Sequence, residues 1–326
     1  MSEQKATVKQ ATEKQQARVR TVYDRIFKRT MSLSSKAVVN LINGLYGTHH
    51  SSESAVFYQG TEAVKRNLGD TMADLFVQID RRVYHLEAQM AEDGDLVSRV
   101  FDYGYMYAER HKSGNNLTFP EPKIIYLYSD KEIPENLMLH LNFGTQGTFD
   151  YQVSTFNFIR TSVQELNEKK MVLLIPFLLL KLRKMIEKQR DDNTLEQLKH
   201  LLIHDILGSI EQNLKLGNIE PADAMQLKEL TVRLYKHLYA NYDEMERDGV
   251  NEIVDDIMEL ESDKWIAKYK TDMEKNTKEV TERVTKQVAK QTTLNAARNL
   301  LDVLDVQTIA EKLGLAVEEV QQLKKQ

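Results

Sequence analysis

Along residues 71–90, TMADLFVQIDRRVYHLEAQM, apolar and polar positions alternate with a period of two. That period belongs to β-strands, whose successive side chains point to opposite faces. The stretch predicts two short strands joined by a tight turn at Asp80–Arg82. In the first, Ala73, Leu75, Val77 and Ile79 share one face, and Met72, Asp74, Phe76 and Gln78 the other. In the second, Tyr84, Leu86, Ala88 and Met90 oppose His85, Glu87 and Gln89. Antiparallel pairing through the turn brings Asp74 opposite the Glu87–Gln89 end, so that two carboxylates and an amide converge.

The rest of the chain reads mostly at the helical period. Over 21–47, Val22, Ile26 and Phe27, then Val38, Val39, Leu41, Ile42 and Leu45, recur at three- and four-residue steps. Ser32–Ser35 offers a cap between two helices, and Asn43-Gly44 with Gly47 marks an end. Residues 48–70 read as loop with a short strand at Ala55–Tyr58. Asp95–Lys112 is a periodic helix ended by Ser113-Gly114-Asn115-Asn116. Lys123–Tyr128 reads as a buried strand of parallel type, and Leu137–Phe143 and Phe149–Phe158 as further strands. Helices and strands thus interleave into a mixed α/β domain over 21–165, preceded by a polar arm at 1–20.

Beyond it the strand signal disappears. A helical region spans 166–261, with helices expected at 167–189, 193–214, 221–246 and 249–261. A last segment, 262–326, holds a long amphipathic helix at 262–301 and a helical hairpin. Tyr269, Met273, Val280, Val284 and Val288 form a stripe suited to packing on a partner, including a second copy in a homo-oligomer. The tail, Asp305–Lys325, has a core of Ile309, Leu313, Leu315, Val317 and Val320 and the outline of a helix-turn-helix. Glu318 and Glu319 stand where a DNA-reading helix would meet the duplex, so a packing hairpin is the better reading.

Composition narrows the class. A chain of 326 residues, 41% hydrophobic, can bury a substantial core, and its 29% charged residues imply much exposed helix. The absence of cysteine excludes disulfides and thiolate chemistry and fits a reducing cytoplasm. The N-terminus lacks the apolar core of a secretory signal. Met171–Leu180 is apolar for about ten residues against the ~20 that span a bilayer, and Pro176 interrupts it, so a buried helix rather than a membrane span is expected. A net charge of −5 argues against a nucleic-acid-coated surface but allows a local basic groove.

Chemistry concentrates at Asp74, Glu87 and Gln89. Phosphodiester hydrolysis needs hard anionic oxygens to hold Mg²⁺ and a neighbour to orient water. The bland alternative makes Glu87 and Gln89 the solvent face of an edge hairpin, and spacing by itself favours it. Arg99 and Tyr103, one helical turn apart, either steady Glu87 or a phosphate or merely cover the sheet. His85 reads as a satisfied hydrogen-bonding residue, and His49-His50 as a polar loop.

From Tyr23 to about Lys170 the chain resembles the recombination-promoting nuclease/putative transposase family, a branch of the PD-(D/E)XK nuclease superfamily. The likeness rests on Tyr23-Asp24-Arg25-Ile26-Phe27-Lys28, on Ala73-Asp74 and Leu86-Glu87-Ala88-Gln89, and on Arg99, Tyr103 and Tyr107. The KIIYLYSD strand and the late IAEKLGLAVEEVQQLK are also similar in layout. The resemblance implies a restriction-endonuclease-like fold and Mg²⁺-dependent (or Mn²⁺-dependent) cleavage of DNA. Asp74 and Glu87 would be metal-binding carboxylates, Gln89 would stand in the place of the superfamily's lysine, and Asp24 would be an auxiliary acidic group. Gln89 departs from the lysine and removes a cation, which leaves open a rival: a catalytically weak or inactive scaffold that binds DNA or protein.

Overall fold

The computed structural model describes residues 22–59, 74–90, 94–129, 131–247, isolated positions between 251 and 301, and 304–323; of Gln59, Asp74, Glu246 and Arg247 only the backbone is described. The arm at 1–20 and most of the 262–301 helix, with its Tyr269–Val288 stripe, lie outside the described residues. Two compact units emerge, one within Met1–Ser262 and one within Asp263–Gln326.

The first unit begins with helix α1 (22–30) and α2 (Ser35–Tyr46). Ser34 caps α2 by accepting the Ala37 N–H, and Gly47 ends it in a left-handed conformation at φ 65°. Gly44 has a different duty from the expected helix end. A Cβ there would come 2.5 Å from the Met171 Cγ and 2.6 Å from the Lys169 carbonyl oxygen, so only glycine allows this approach.

Strands β1 (Val56–Gln59), β2 (Asp74–Ile79) and β3 (Arg82–Gln89) follow, then helix α3 (Leu96–Arg110), β4 (Glu121–Tyr126), β5 (Asn136–Asn142) and β6 (Thr148–Asn157). They form one mixed six-stranded sheet in the order β1-β2-β3-β4-β6-β5. The three central strands β3, β4 and β6 are parallel, and the outer pairings are antiparallel. Asp80, in the β2–β3 turn, has φ 54°, a left-handed value that aspartate tolerates better than most residues.

Helices cover both faces. On one side Tyr46 of α2 packs on Tyr84 with ring centroids 4.6 Å apart, and its hydroxyl donates to the Glu121 carbonyl at 3.0 Å. On the other, Leu96 and Val100 of α3 join Ile124, Tyr126, Tyr151 and Val153 in a continuous cluster. β3 therefore runs through the middle of the protein with both faces buried, and the edge-hairpin reading of Glu87 and Gln89 fails: they are 1% and 5% exposed.

The later helices share this core. The apolar run expected as an α-helix is a 3-10 segment, Val172–Leu182, with Pro176 inside. Proline lacks the N–H that an α-helical ladder needs. Its residues from Val172 to Leu180 are buried, and Phe177 meets Phe27 of α1 and Phe158 after β6. Helix α4 (Val163–Glu168) precedes it and α5 (Arg183–Lys188) continues it. The expected 193–214 helix is three pieces: α6 (Asp192–His200), a π segment at Leu201–Leu207 and α7 (Gly208–Lys215). The 221–246 helix divides into α8 (Pro221–Leu238) and α9 (Asp243–Arg247). Asp223 of α8 accepts from the Ser34 hydroxyl at 2.5 Å and backbone N–H at 2.8 Å, joining α8 to the start of α2. Among the described residues no helix is long and apolar enough to cross a membrane.

In the second unit, helices Val306–Leu313 and Val317–Leu323 meet at the left-handed Gly314. Ile309, Ala310 and Val320 bury against Ala297. Val317, expected in this core, is 37% exposed.

Candidate active site

The β2–β3 ladder pairs Asp74 with Glu87, Leu75 with Leu86 and Phe76 with His85. Directly opposed residues in such a ladder have Cβ atoms about 4.5–5.5 Å apart, close enough for two carboxylates to serve one ion. The register thus opposes residues 74 and 87; the Asp74 side chain lies outside the described residues.

Glu87 is held from two directions. The Gln89 amide donates to Glu87 Oε1 at 2.5 Å, from the next position on the same face of β3. Arg99 of α3 places Nη2 3.6 Å from the same oxygen. The guanidinium offsets the burial of a carboxylate, which unpaired would be strongly unfavourable. Tyr103, one turn further, meets the edge of the buried His85 ring with centroids 6.3 Å apart. His85 stacks on Phe76 at 4.4 Å, and Phe76 on Tyr107 at 5.1 Å. Burial pushes the Tyr107 hydroxyl above the ordinary phenol range. Glu87 therefore sits at the end of a row of rings clamped between β2–β3 and α3.

Arg99 and Tyr103 both reach the polar face of β3, Arg99 to Glu87 and Tyr103 to His85. Asp24 does not join them by any contact among the described residues. Its carboxylate accepts from Lys28 at 2.9 Å, one turn along α1. Helix α1 packs with the 3-10 segment on the α2 side of the sheet, whereas Glu87 lies under α3.

A second cluster escaped the sequence reading. The His50 ring, assigned to a polar loop, lies 2.7 Å through Nδ1 from Asp80 Oδ2 and 2.6 Å through Nε2 from the Tyr84 hydroxyl. Asn43 fixes the His50 backbone on both sides, accepting from its N–H and donating to its carbonyl, each at 2.9 Å. The cluster ties the loop after α2 to the turn end of the hairpin, the end remote from Asp74 and Glu87. Nothing in the local pattern links residues 50, 80 and 84, and only the hairpin register brings the last two together. Tyr84 is fully buried, so the arrangement works as a clamp.

Among the described residues no group of three or more His, Asp or Glu could hold a metal ion. The set Asp74, Glu87 and Gln89 offers oxygen donors only, the chemistry Mg²⁺ selects. Two carboxylates from opposed strand positions, with an amide beside one of them, fit that ion in donor type. No protein-family description, curated protein or solved structure matches the chain.

Proposed function

We propose that this chain is a Mg²⁺-dependent DNA endonuclease with a restriction-endonuclease-like core of the PD-(D/E)XK kind, hydrolysing phosphodiester bonds in a transposase-like or recombination-promoting role. The observation that carries the reading is Glu87: a carboxylate 1% exposed, in the central part of a sheet, opposite a second acidic residue and braced by an amide and a guanidinium. A strand buried on both faces gains nothing in stability from such a set over apolar side chains. Buried and specifically paired acidic groups of this kind concentrate at functional sites. The succession of a helix, three antiparallel strands, a covering helix and a parallel strand supports the same reading.

Asp74 and Glu87 would hold the ion. When bound, the cation supplies positive charge against the phosphate and lowers the pKa of a water. Gln89 fixes the Glu87 carboxylate through its amide N–H and offers its carbonyl oxygen to orient water. Arg99 acts as a positioning residue, setting the direction in which Glu87 presents its oxygens. The rings of Tyr103 and His85 exclude water from the flank of the site.

Gln89 also favours a second reading, a nuclease scaffold retained for binding, because its amide and Arg99 already satisfy Glu87 Oε1 from within the protein. Plasmid nicking separates the two. The full chain with Mg²⁺ should convert supercoiled plasmid to open circles. Asp74→Asn and Glu87→Gln should each slow this about a hundredfold or more, the kinetic equivalent of several kcal/mol. Equal nicking by wild type and both variants would sink the nuclease assignment.

A further inference from the structure

Helices α1 and α8 enclose a cleft of about 450 Å³ that has no part in the Glu87 site. Its floor is apolar, formed by Val22 and Ile26 from α1 and Leu230 from α8. Three guanidinium groups surround that floor: Arg25 and Arg29, one turn apart on α1, and Arg233 on α8. Against these three charges stands a single carboxylate in the lining, Glu229, which accepts from Arg233 at 2.6 Å. A surface pair of this type contributes little and is readily exchanged for a better anion. The lining thus sets three guanidinium groups against one carboxylate, on a chain whose net charge is −5.

Two further observations point to a ligand. Gln226 lines the same cleft, and its amide oxygen is buried with no hydrogen-bond partner among the described residues. Buried acceptors are almost always satisfied, so this one asks for a donor. The positive field also reaches the neighbouring turn of α8. His237 is held below the usual histidine range by burial first, then by Arg183 and Arg25.

The chemistry needed is an anion with an apolar body and at least one N–H or O–H donor. Guanidinium groups match phosphate oxygens in bidentate geometry, and the volume lies within the usual range of small-molecule pockets. A concave cleft with an apolar floor suits a compact ligand better than a duplex backbone. We propose that the α1–α8 cleft is a binding site for a nucleotide-sized phosphate ester, its phosphate held by Arg25, Arg29 and Arg233 and its ring body laid on Val22, Ile26 and Leu230 beneath Gln226.

Calorimetry on the full chain with ADP, inorganic pyrophosphate and a short blunt DNA duplex tests this. ADP should bind, and Arg29→Glu and Arg233→Glu should each weaken it about tenfold or more, as loss of charged hydrogen bonds to phosphate requires. Both arginines are exposed, so the unliganded melting temperatures should fall only slightly, more for Arg233→Glu, which sets two carboxylates one helical turn apart. Gln226→Leu should weaken ADP while leaving pyrophosphate unchanged. Glu87→Gln should leave ADP affinity intact, so the cleft and the nuclease reading stand or fall separately. The proposal is overturned if ADP does not bind, if Arg29→Glu and Arg233→Glu bind it as wild type does, or if only the duplex depends on these arginines.

Discussion

The two faces of β3 are buried alike and built differently. Tyr84, Leu86 and Ala88, toward α2, are fully buried; His85, Glu87 and Gln89, toward α3, are 0%, 1% and 5% exposed. Removal from water therefore cannot account for the difference in chemistry. The α2-side face is stabilised mainly by apolar burial, roughly 25 cal/mol for each Å², with the Tyr84 hydroxyl satisfied by His50. The α3-side face needs specific partners to be tolerated at all, and has them in the Gln89 amide, the Arg99 guanidinium, the stacked ring of Phe76 and the edge-on ring of Tyr103. Where two surfaces are equally dry, the one that retains a charge is the one to which the proposed activity is assigned.

The contrast can be broken experimentally. The largest stability effect should fall on the apolar face: Leu86→Ala should lower unfolding stability by about 2–5 kcal/mol in denaturant titrations. Glu87→Gln keeps shape and an acceptor for Gln89, and should shift stability by less than ~1.5 kcal/mol while removing nicking. Stability losses of equal size for the two would erase the distinction between the faces.

Next in size is Arg99→Met, which keeps the aliphatic stem over the sheet but leaves Glu87 without its cation. About 1–3 kcal/mol should be lost, and Glu87→Gln combined with it should restore most of that loss. Additive losses in the double variant would show that the pair is not coupled.

An alkaline titration reads the packing of phenols on both sides of the sheet. Burial first, then the neighbouring Glu121, Tyr84 and Tyr151, raises the Tyr46 hydroxyl well above its ordinary range; burial likewise raises Tyr84. The folded state thus favours the neutral phenol. The stabilisation is fully present below about pH 10, where unfolded tyrosine ionises, and is lost as pH rises through the higher folded values. Tyr23, Tyr58 and Tyr151, pushed up to about 12 by burial, extend the window to that pH. Phenolate absorbance should therefore rise together with loss of helix signal above pH 10, and ionisation well before unfolding would contradict the packing around Tyr46. Gln89→Lys, which restores the cation of the resembled superfamily, should raise Mg²⁺-dependent nicking, with the pairing of its ammonium to Glu87 offsetting part of the cost of burying it.

Much of this arrangement was legible before the structure. Period-two alternation with a tight turn is enough to oppose Asp74 to Glu87, because a short turn leaves little freedom of register. Helical spacing set Arg99 and Tyr103 on one side of α3 and left open whether they steady Glu87 or cover the sheet. What was not legible depended on distant segments. β3 looked like an edge strand until β4 paired beside it and α3 closed over it, a non-local event that alternation cannot report. The run around Pro176 has the hydropathy of a buried helix and is one, but hydropathy does not report that it is of 3-10 type. The resemblance on α1 suggested Asp24 as an auxiliary acid; one of its oxygens pairs with Lys28 one turn along the same helix. The His50–Asp80–Tyr84 clamp joins the loop after α2 to the turn end of the hairpin, a meeting that neither stretch encodes.

Ion binding tests the central claim most directly. Mn²⁺ titrated into the full chain and followed by electron paramagnetic resonance should reveal one site, present in wild type and lost in both Asp74→Asn and Glu87→Gln while the folded signal persists. A wild-type protein that binds no ion, or variants that bind it as tightly as wild type, would contradict a shared Asp74–Glu87 metal centre.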